Sequence, residues 1–171
     1  MRKTFVASAA AASALAFVLV APGQAGADVT TPLTFGISGG FLTITAPTAL
    51  QTLPLVGDQA QGNITGVKVT DERRALLGVW AAKASSTAFT NGNTTIPASD
   101  VTYSSAVTGF TGVVVAVPAL LPVAIPIPTT IMGATGATGL NTVTWTGTVT
   151  VDLPEDITAG TYTGQVTHSV S

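Results

Sequence analysis

The stretch NTVTWTGTVTVDLP, residues 141–154, alternates apolar and polar side chains with a period of two. One set of alternate positions holds Val143, Trp145, Gly147, Val149, Val151 and Leu153, and the other holds five threonines and Asp152. Because successive side chains of a β-strand point to opposite faces of its sheet, this pattern predicts a half-buried antiparallel strand with a threonine-rich solvent face.

The same period recurs along the chain, in FLTIT (41–45), ITGVKVTD (64–71) and TYTGQVTHSV (161–170). The stretch LLGVWAAKA (76–84) is apolar on both faces except at Lys83, which is typical of a central strand. Asn91-Gly92 is a turn signal between two further strands. We therefore predict an all-β, single-domain antiparallel β-sandwich or barrel-like fold. Within it, we expect 142–153 and 161–170 to be neighbouring strands joined by a loop over 154–159.

Residues 1–27 have the three parts of a secretory signal peptide: the positive Arg2 and Lys3, an apolar stretch over 4–20, and Ala-x-Ala at 25–27. The alternative is a membrane anchor, but about 17 apolar residues is the short limit for a spanning helix. We predict cleavage after Ala27, so that 28–171 is the exported domain. No second apolar span and no sortase-type Leu-Pro-x-Thr-Gly tail follows. We therefore expect a secreted protein of the cell surface, with no membrane anchor in its mature form.

The composition of the chain argues against several classes of partner. The full chain has a formal net charge of −2 and no cysteine. Beyond the signal peptide, only Lys68, Arg73, Arg74 and Lys83 are basic. Such a surface lacks the basic patch that nucleic acid or anionic lipid would require. Without cysteine, the domain must fold without disulfides, although the outside of the cell would allow them.

An uncharged segment, VVVAVPALLPVAIPIPTTIMGATGATG (113–139), carries prolines at 118, 122, 126 and 128. Because proline cannot donate to a central ladder, we predict a proline- and glycine-rich insert that forms an edge strand or an extended crossover. Two interpretations stay open: a loop that covers one end of the sandwich, or an exposed apolar surface that docks a partner. For the second interpretation, the candidate contacts are Leu120, Leu121 and Ile125.

His168 is the only histidine, so any catalytic triad would have to use it as the base. Strand alternation places it with Val166 and Val170 on the apolar face of the last strand, and no Gly-x-Ser-x-Gly elbow precedes it. We therefore predict that His168 is a packing residue. The chain is predicted not to be an enzyme.

Adjacent carboxylates occur at Asp71-Glu72 and Glu155-Asp156, and such pairs can cleave glycosidic bonds. Both lie in loop-like stretches without an aromatic platform for a sugar, so we predict solvated turn residues. The charged run 71–74 is expected to form a surface ion-pair cluster of little stabilising value. The acids lack the spacing of a calcium loop. We expect no catalytic residue, no cofactor and no metal.

Three stretches together resemble the WxL domain, a family of exported Gram-positive proteins that associate noncovalently with the cell wall. They are VTDERRALLGVWAAKASSTAFTNGNTTIPASDVTYSS (69–105), NTVTWTGTVTVDLP (141–154) and AGTYT (159–163). With TFGISGGFLTITAP near the start of the exported domain, the resemblance touches most of 33–171.

The family's first Trp-x-Leu motif corresponds to Trp80-Ala81-Ala82, which keeps the tryptophan and lacks the leucine. The second corresponds to His168-Ser169-Val170, where both named residues are replaced. The resemblance implies that Trp80, Ala82, His168 and Val170 are motif positions and candidate wall contacts, although a central strand favours a core role for Trp80.

The resemblance also implies a function, namely binding to peptidoglycan or to partner surface proteins. The alternative is a structural subunit of a surface fibre or layer. In that case the threonine-rich strands and segment 113–131 would form the contacts between subunits.

Overall fold

The computed structural model describes residues 33–49 and 51–171, and the predicted signal peptide, 1–27, lies outside the described residues. The chain divides into two units, Met1–Gly36 and Ile37–Ser171, and every strand described below belongs to the second. Within the described ranges, no helix combines the length and apolar character needed to cross a membrane.

The second unit is all-β, as the alternating sequence predicts, with one short 3-10 turn at Ala98–Asp100. Its strands are β1 (Leu42–Thr45), β2 (Leu55–Val56), β3 (Gln59–Asp71), β4 (Gly78–Ser86), β5 (Phe89–Thr90), β6 (Thr95–Ile96), β7 (Val101–Pro118), β8 (Val123–Ala124), β9 (Thr129–Asp152) and β10 (Val166–Val170). Strands β5 and β6 form a small hairpin around the predicted Asn91-Gly92 turn, and all others belong to one antiparallel sheet.

The 24-residue strand β9 organises the main sheet. Along one edge it pairs with β7 from Val101↔Val151 to Pro118↔Met132. Along its other edge it pairs first with β4 and then with β3. Glycines with positive φ occur in both partners where the pairing shifts, at Gly112 in β7 and at Gly136 and Gly139 in β9. The long hairpin therefore carries two halves of the sheet, one on each side of these glycines.

Strands β1 and β10 are edge strands of the sheet, and β7, which pairs with β9 and only briefly with β8, is a third. β1 pairs with β3, and β10 pairs with β4 from Val166↔Ser86 to Val170↔Ala82. The prediction that 142–153 and 161–170 are neighbouring strands is wrong. Both edges of β9 are already occupied over 142–151, by β3 on one side and β7 on the other, so the last strand pairs with β4 instead. The resulting antiparallel sheet is nearly closed, which is the predicted sandwich or barrel-like architecture.

The core lies between the two halves of this sheet and contains the apolar positions of the opening stretch. Val143, Trp145, Val149 and Val151 of β9 are buried, and Tyr162, Val166 and Val170 pack against the same cluster. Burial of this apolar surface supplies most of the driving force for folding, at about 25 cal/mol for each Å² removed from water.

Segment 113–139 is mostly regular strand rather than an insert. Val113 to Pro118 complete β7 and pair with β9 alone among the described strands, which confirms the predicted edge strand for this part. Residues 129–139 begin β9, which pairs with both β4 and β7 and is therefore central. The positions of the prolines agree with the prediction, because proline has no backbone N–H to donate to a strand ladder. Pro118 ends β7, and the other three lie outside the strands in the connection over 119–128.

Asp71 is not the surface residue that the charged run suggests, since only 1% of it is exposed. Its carboxylate accepts bonds from Nε and Nη2 of Arg73, both at 3.0 Å, and from the Arg73 backbone N–H. Arg73 also donates from Nη2 to the carbonyl of Val79 in β4. This pair therefore fixes the connection from β3 to β4, in which Arg74 and Leu77 adopt positive φ.

Replacing Arg73 by Met should leave the buried Asp71 carboxylate without its main partner. We expect a loss of about 2–4 kcal/mol in unfolding free energy at pH 7, measured by urea denaturation.

The bonds from Arg73 lower the pKa of Asp71 below its ordinary value of 3.8. Their stabilisation is therefore present above that pH and is lost as pH falls through the lowered pKa. The double variant Arg73→Met with Asp71→Asn is the matched control and should recover part of the loss. A single variant as stable as the wild type would show that the pair does not hold the connection.

Candidate functional site

The structure brings the two degenerate motifs together on paired strands. Ala82 of β4 lies directly opposite Val170 of β10, and His168 lies opposite Ala84. The motif side chains point inward. Trp80 is 4% exposed, Ala82 is fully buried, and Val170 is half-buried. The sequence did not predict this pairing. The motif positions therefore form one packed element rather than an exposed wall contact.

His168 packs as predicted, on the inward face of β10 with Val166 and Val170. Its ring meets the ring of Tyr103 edge to face, with centroids 5.6 Å apart and planes 72° apart. Its Nε2 lies 3.1 Å from the hydroxyl of Tyr103. That hydroxyl also accepts a bond from Nε1 of Trp145 at 3.3 Å. A chain of hydrogen bonds thus joins β9, β7 and β10 inside the core.

Burial indicates which atom donates in each of these hydrogen bonds. Trp145 can only donate, so Tyr103 accepts from it. The Tyr103 hydroxyl is fully buried, and in the described residues its one available acceptor is Nε2 of His168. The tautomer that supplies this acceptor is neutral His168 with its proton on Nδ1. The same burial raises the pKa of Tyr103 to about 12 and lowers the pKa of His168.

Gly147 makes this arrangement possible, because any Cβ at that position would overlap the Tyr103 hydroxyl and ring. In the sequence, Gly147 interrupts the apolar face between Trp145 and Val149. That gap in an otherwise bulky row was the available signal that another side chain crosses the strand there. Tyr103 itself gave no such signal, since its sequence context predicts only a return strand.

The three candidate docking residues do not share one environment. Leu120 and Leu121 are 73% and 79% exposed, whereas Ile125 is 0% exposed. The backbone of Ile125 also bridges two strands, donating to Val101 O at 3.0 Å and accepting from Ser86 N at 2.7 Å. Ile125 is therefore a core residue that ties β7 to β4, and it does not belong to an exposed surface.

A cleft opens where β1 approaches β10, and it has two chambers. The first, of 510 Å³, is lined by Ile44, Ile64, Val149, Val166 and His168 among others. The second, of 640 Å³, is lined by Leu55, Ile96, Leu153, Ile157 and Tyr162 among others. Gln51, Leu53, Phe89 and Gly164 line both chambers. This cleft was not predicted, because its walls come from six separate stretches of the chain.

The predicted carboxylate pairs do not form acid–base pairs. Asp71 is bonded to Arg73, and Glu72, Glu155 and Asp156 are exposed. In the part of the chain that the structure describes, no group of three or more His, Asp or Glu side chains is placed to hold a metal ion.

No protein family, no curated protein and no solved structure matches this chain.

Trp80 provides a direct test of the core assignment. Trp80→Ala should reduce the free energy of unfolding by about 3–5 kcal/mol, because it removes a large buried ring. Trp80→Phe is the matched control and should cost clearly less, since the Trp80 Nε1 atom has no hydrogen-bond partner among the described residues. Thermal melting of both variants checks this. If Trp80→Ala melts at the same temperature as the wild type, the assignment of Trp80 to the core is wrong.

The buried imidazole should make stability depend on pH. Because the pKa of His168 is lowered in the folded state, the unfolded chain binds the proton first as pH falls below about 6.5. Stability should therefore decrease between pH 7.5 and 5.5. Urea denaturation at these pH values measures the change. The double variant Tyr103→Phe with His168→Phe removes both partners together and should show a flatter profile; equal slopes would exclude His168 as the cause.

Proposed function

We propose that this chain is an exported cell-surface protein, not an enzyme, that attaches noncovalently at the Gram-positive cell wall by binding partner surface proteins. The resemblance to the WxL domain supports export and wall association. The choice of surface proteins over wall polymer depends on which side chains are exposed.

The observation that carries the proposal is an apolar row on the outer face of β7, continued into the following connection. We call it the β7 ridge: Val113, Val115, Val117, Leu120 and Leu121, all of which are exposed. Residues 113–131 contain no charged side chain. An exposed apolar surface of this kind marks a contact site on a soluble domain, and its alternation leaves Val114 and Ala116 on the inward side.

Both tryptophans argue against direct sugar binding. Trp80 and Trp145 are buried, so neither ring is available to stack on the face of a glycan. Charged side chains that would bond to the polar groups of peptidoglycan are absent from the β7 ridge. A protein partner with its own apolar surface fits the ridge better than a hydrated polymer does.

A structural subunit is the second candidate. Pairing of the ridge with the same ridge on a second copy would bury both apolar rows and close as a dimer. A fibre or layer would need a second contact as well, which the threonine-rich strands would supply. The two candidates differ in what the purified protein does alone. A wall-attached protein stays monomeric in light scattering, and a structural subunit forms large particles.

The test uses cell walls prepared in two ways, with surface proteins retained or removed by protease. The wild-type protein should sediment with the first preparation and at least several-fold less with the second. Leu120→Ser with Leu121→Ser should lose most of this binding and keep its thermal midpoint. Leu76→Ser, at an exposed leucine outside the ridge, is the control.

A separate variant checks that the docking surface excludes Ile125. Ile125→Ala should cost about 2–5 kcal/mol in unfolding free energy, because it empties a buried site.

In the wall-binding test, equal binding to both wall preparations would contradict the proposal and favour the polymer as ligand.

A further inference from the structure

Two side chains that line both chambers of the cleft, Leu53 and Phe89, lie directly against glycine backbone. A Cβ on Gly62 would lie 2.6 Å from Cδ2 of Leu53, and a Cβ on Gly164 would lie 2.7 Å from the ring of Phe89. Leu53 and Phe89 therefore rest directly on backbone, where larger residues would displace them. These two side chains form the shared wall between the chambers.

The chemistry of the walls limits the occupant. None of the residues lining either chamber is Asp, Glu, Lys or Arg. A phosphate or carboxylate placed there would lose its hydration without gaining a counter-charge, which is costly. The volumes, 510 and 640 Å³, lie within the range of small-molecule sites. The walls combine apolar side chains with uncharged polar ones, among them Gln51, Gln165 and Tyr162, so an uncharged molecule with a hydrocarbon part and a few polar atoms suits them.

His168 adds one polar requirement to the first chamber. Because Nε2 accepts the bond from Tyr103, the ring proton is on Nδ1, and in the described residues no protein acceptor bonds to it. The chamber therefore presents this N–H, on a ring fixed by Tyr103, beside apolar side chains and the uncharged polar side chains of Thr48, Gln51 and Gln165. A neutral carbonyl oxygen would satisfy it, and an alkane would leave it without a partner.

We propose that this cleft is a binding site for a neutral acyl ester, with its hydrocarbon chain along Leu53 and Phe89 and its carbonyl oxygen accepting a bond from Nδ1 of His168. The site is independent of the β7 ridge, since no residue of β7 or β8 lines either chamber. A second copy of the chain, inserting an apolar segment, is the competing occupant.

The probe is the methyl ester of cis-parinaric acid, whose fluorescence rises in an apolar site. At pH 8 the purified full chain should bind the ester at least five-fold more tightly than the ionised free acid. Ala49→Trp, which adds bulk at an exposed position lining the first chamber, should weaken ester binding at least five-fold. Ala106→Trp, at an exposed position of β7 outside the cleft, is the matched control and should bind normally.

A second variant tests the proposed hydrogen bond from His168. His168→Phe should weaken the ester about 3- to 10-fold, as expected for the loss of one neutral hydrogen bond. It should leave unchanged the binding of N-phenyl-1-naphthylamine, an uncharged probe without a carbonyl. Because the chain has a single histidine, the ¹⁵N shift of Nδ1 on ester addition reports the same bond if the variant does not fold.

Three results would overturn the proposal: equal affinity for ester and acid, normal ester binding by Ala49→Trp, or a stable dimer in light scattering that excludes the ester.

Discussion

The fold depends on the close approach of two backbones at Gly112. There β7 has a φ of +73°, and a Cβ would overlap the carbonyl oxygen of Leu140 in β9. Glycine alone combines this left-handed conformation with the absence of a side chain. The pairing of β7 with β9 shifts on both sides of Val113, and shifts of this kind bend a sheet. Because one hairpin continues through the bend, β3 and β4 can pair with successive parts of the same strand and enclose a common core.

Local alternation predicted the strands because burial of one face acts on each strand separately. It predicted the inward residues of β9 and the central position of β4, which carries Trp80. It did not predict which strand pairs with β10, since that depends on which edges β3 and β7 leave free. The burial of Asp71 and Ile125 was missed for a related reason. Each is buried by partners that its own neighbours in sequence do not specify: Arg73 with the carbonyl of Val79, and the backbones of Val101 and Ser86.

The hydrogen bonds among Trp145, Tyr103 and His168 show how the candidate site follows from the fold. β10 does not pair with β9, yet Tyr103 connects them through the core. A histidine at this position does more than fill space, because its Nε2 supplies the acceptor that a buried tyrosine hydroxyl requires. The position of the remaining proton follows from that requirement. A packing role for His168 and a fixed donor in the cleft are therefore consequences of the same bond.

The two proposed contact surfaces differ in how they can select a partner. The β7 ridge is an exposed row along β7 and the connection that follows it, so an occupant needs only a complementary apolar face. The cleft is concave, and its first chamber is lined by a histidine whose ring is fixed by Tyr103, so it favours a molecule that carries an acceptor. Since they have no residue in common, occupancy of one does not block the other by direct overlap. Both lack charged side chains, so salt should affect binding at either surface much less than it affects an ion-paired interface.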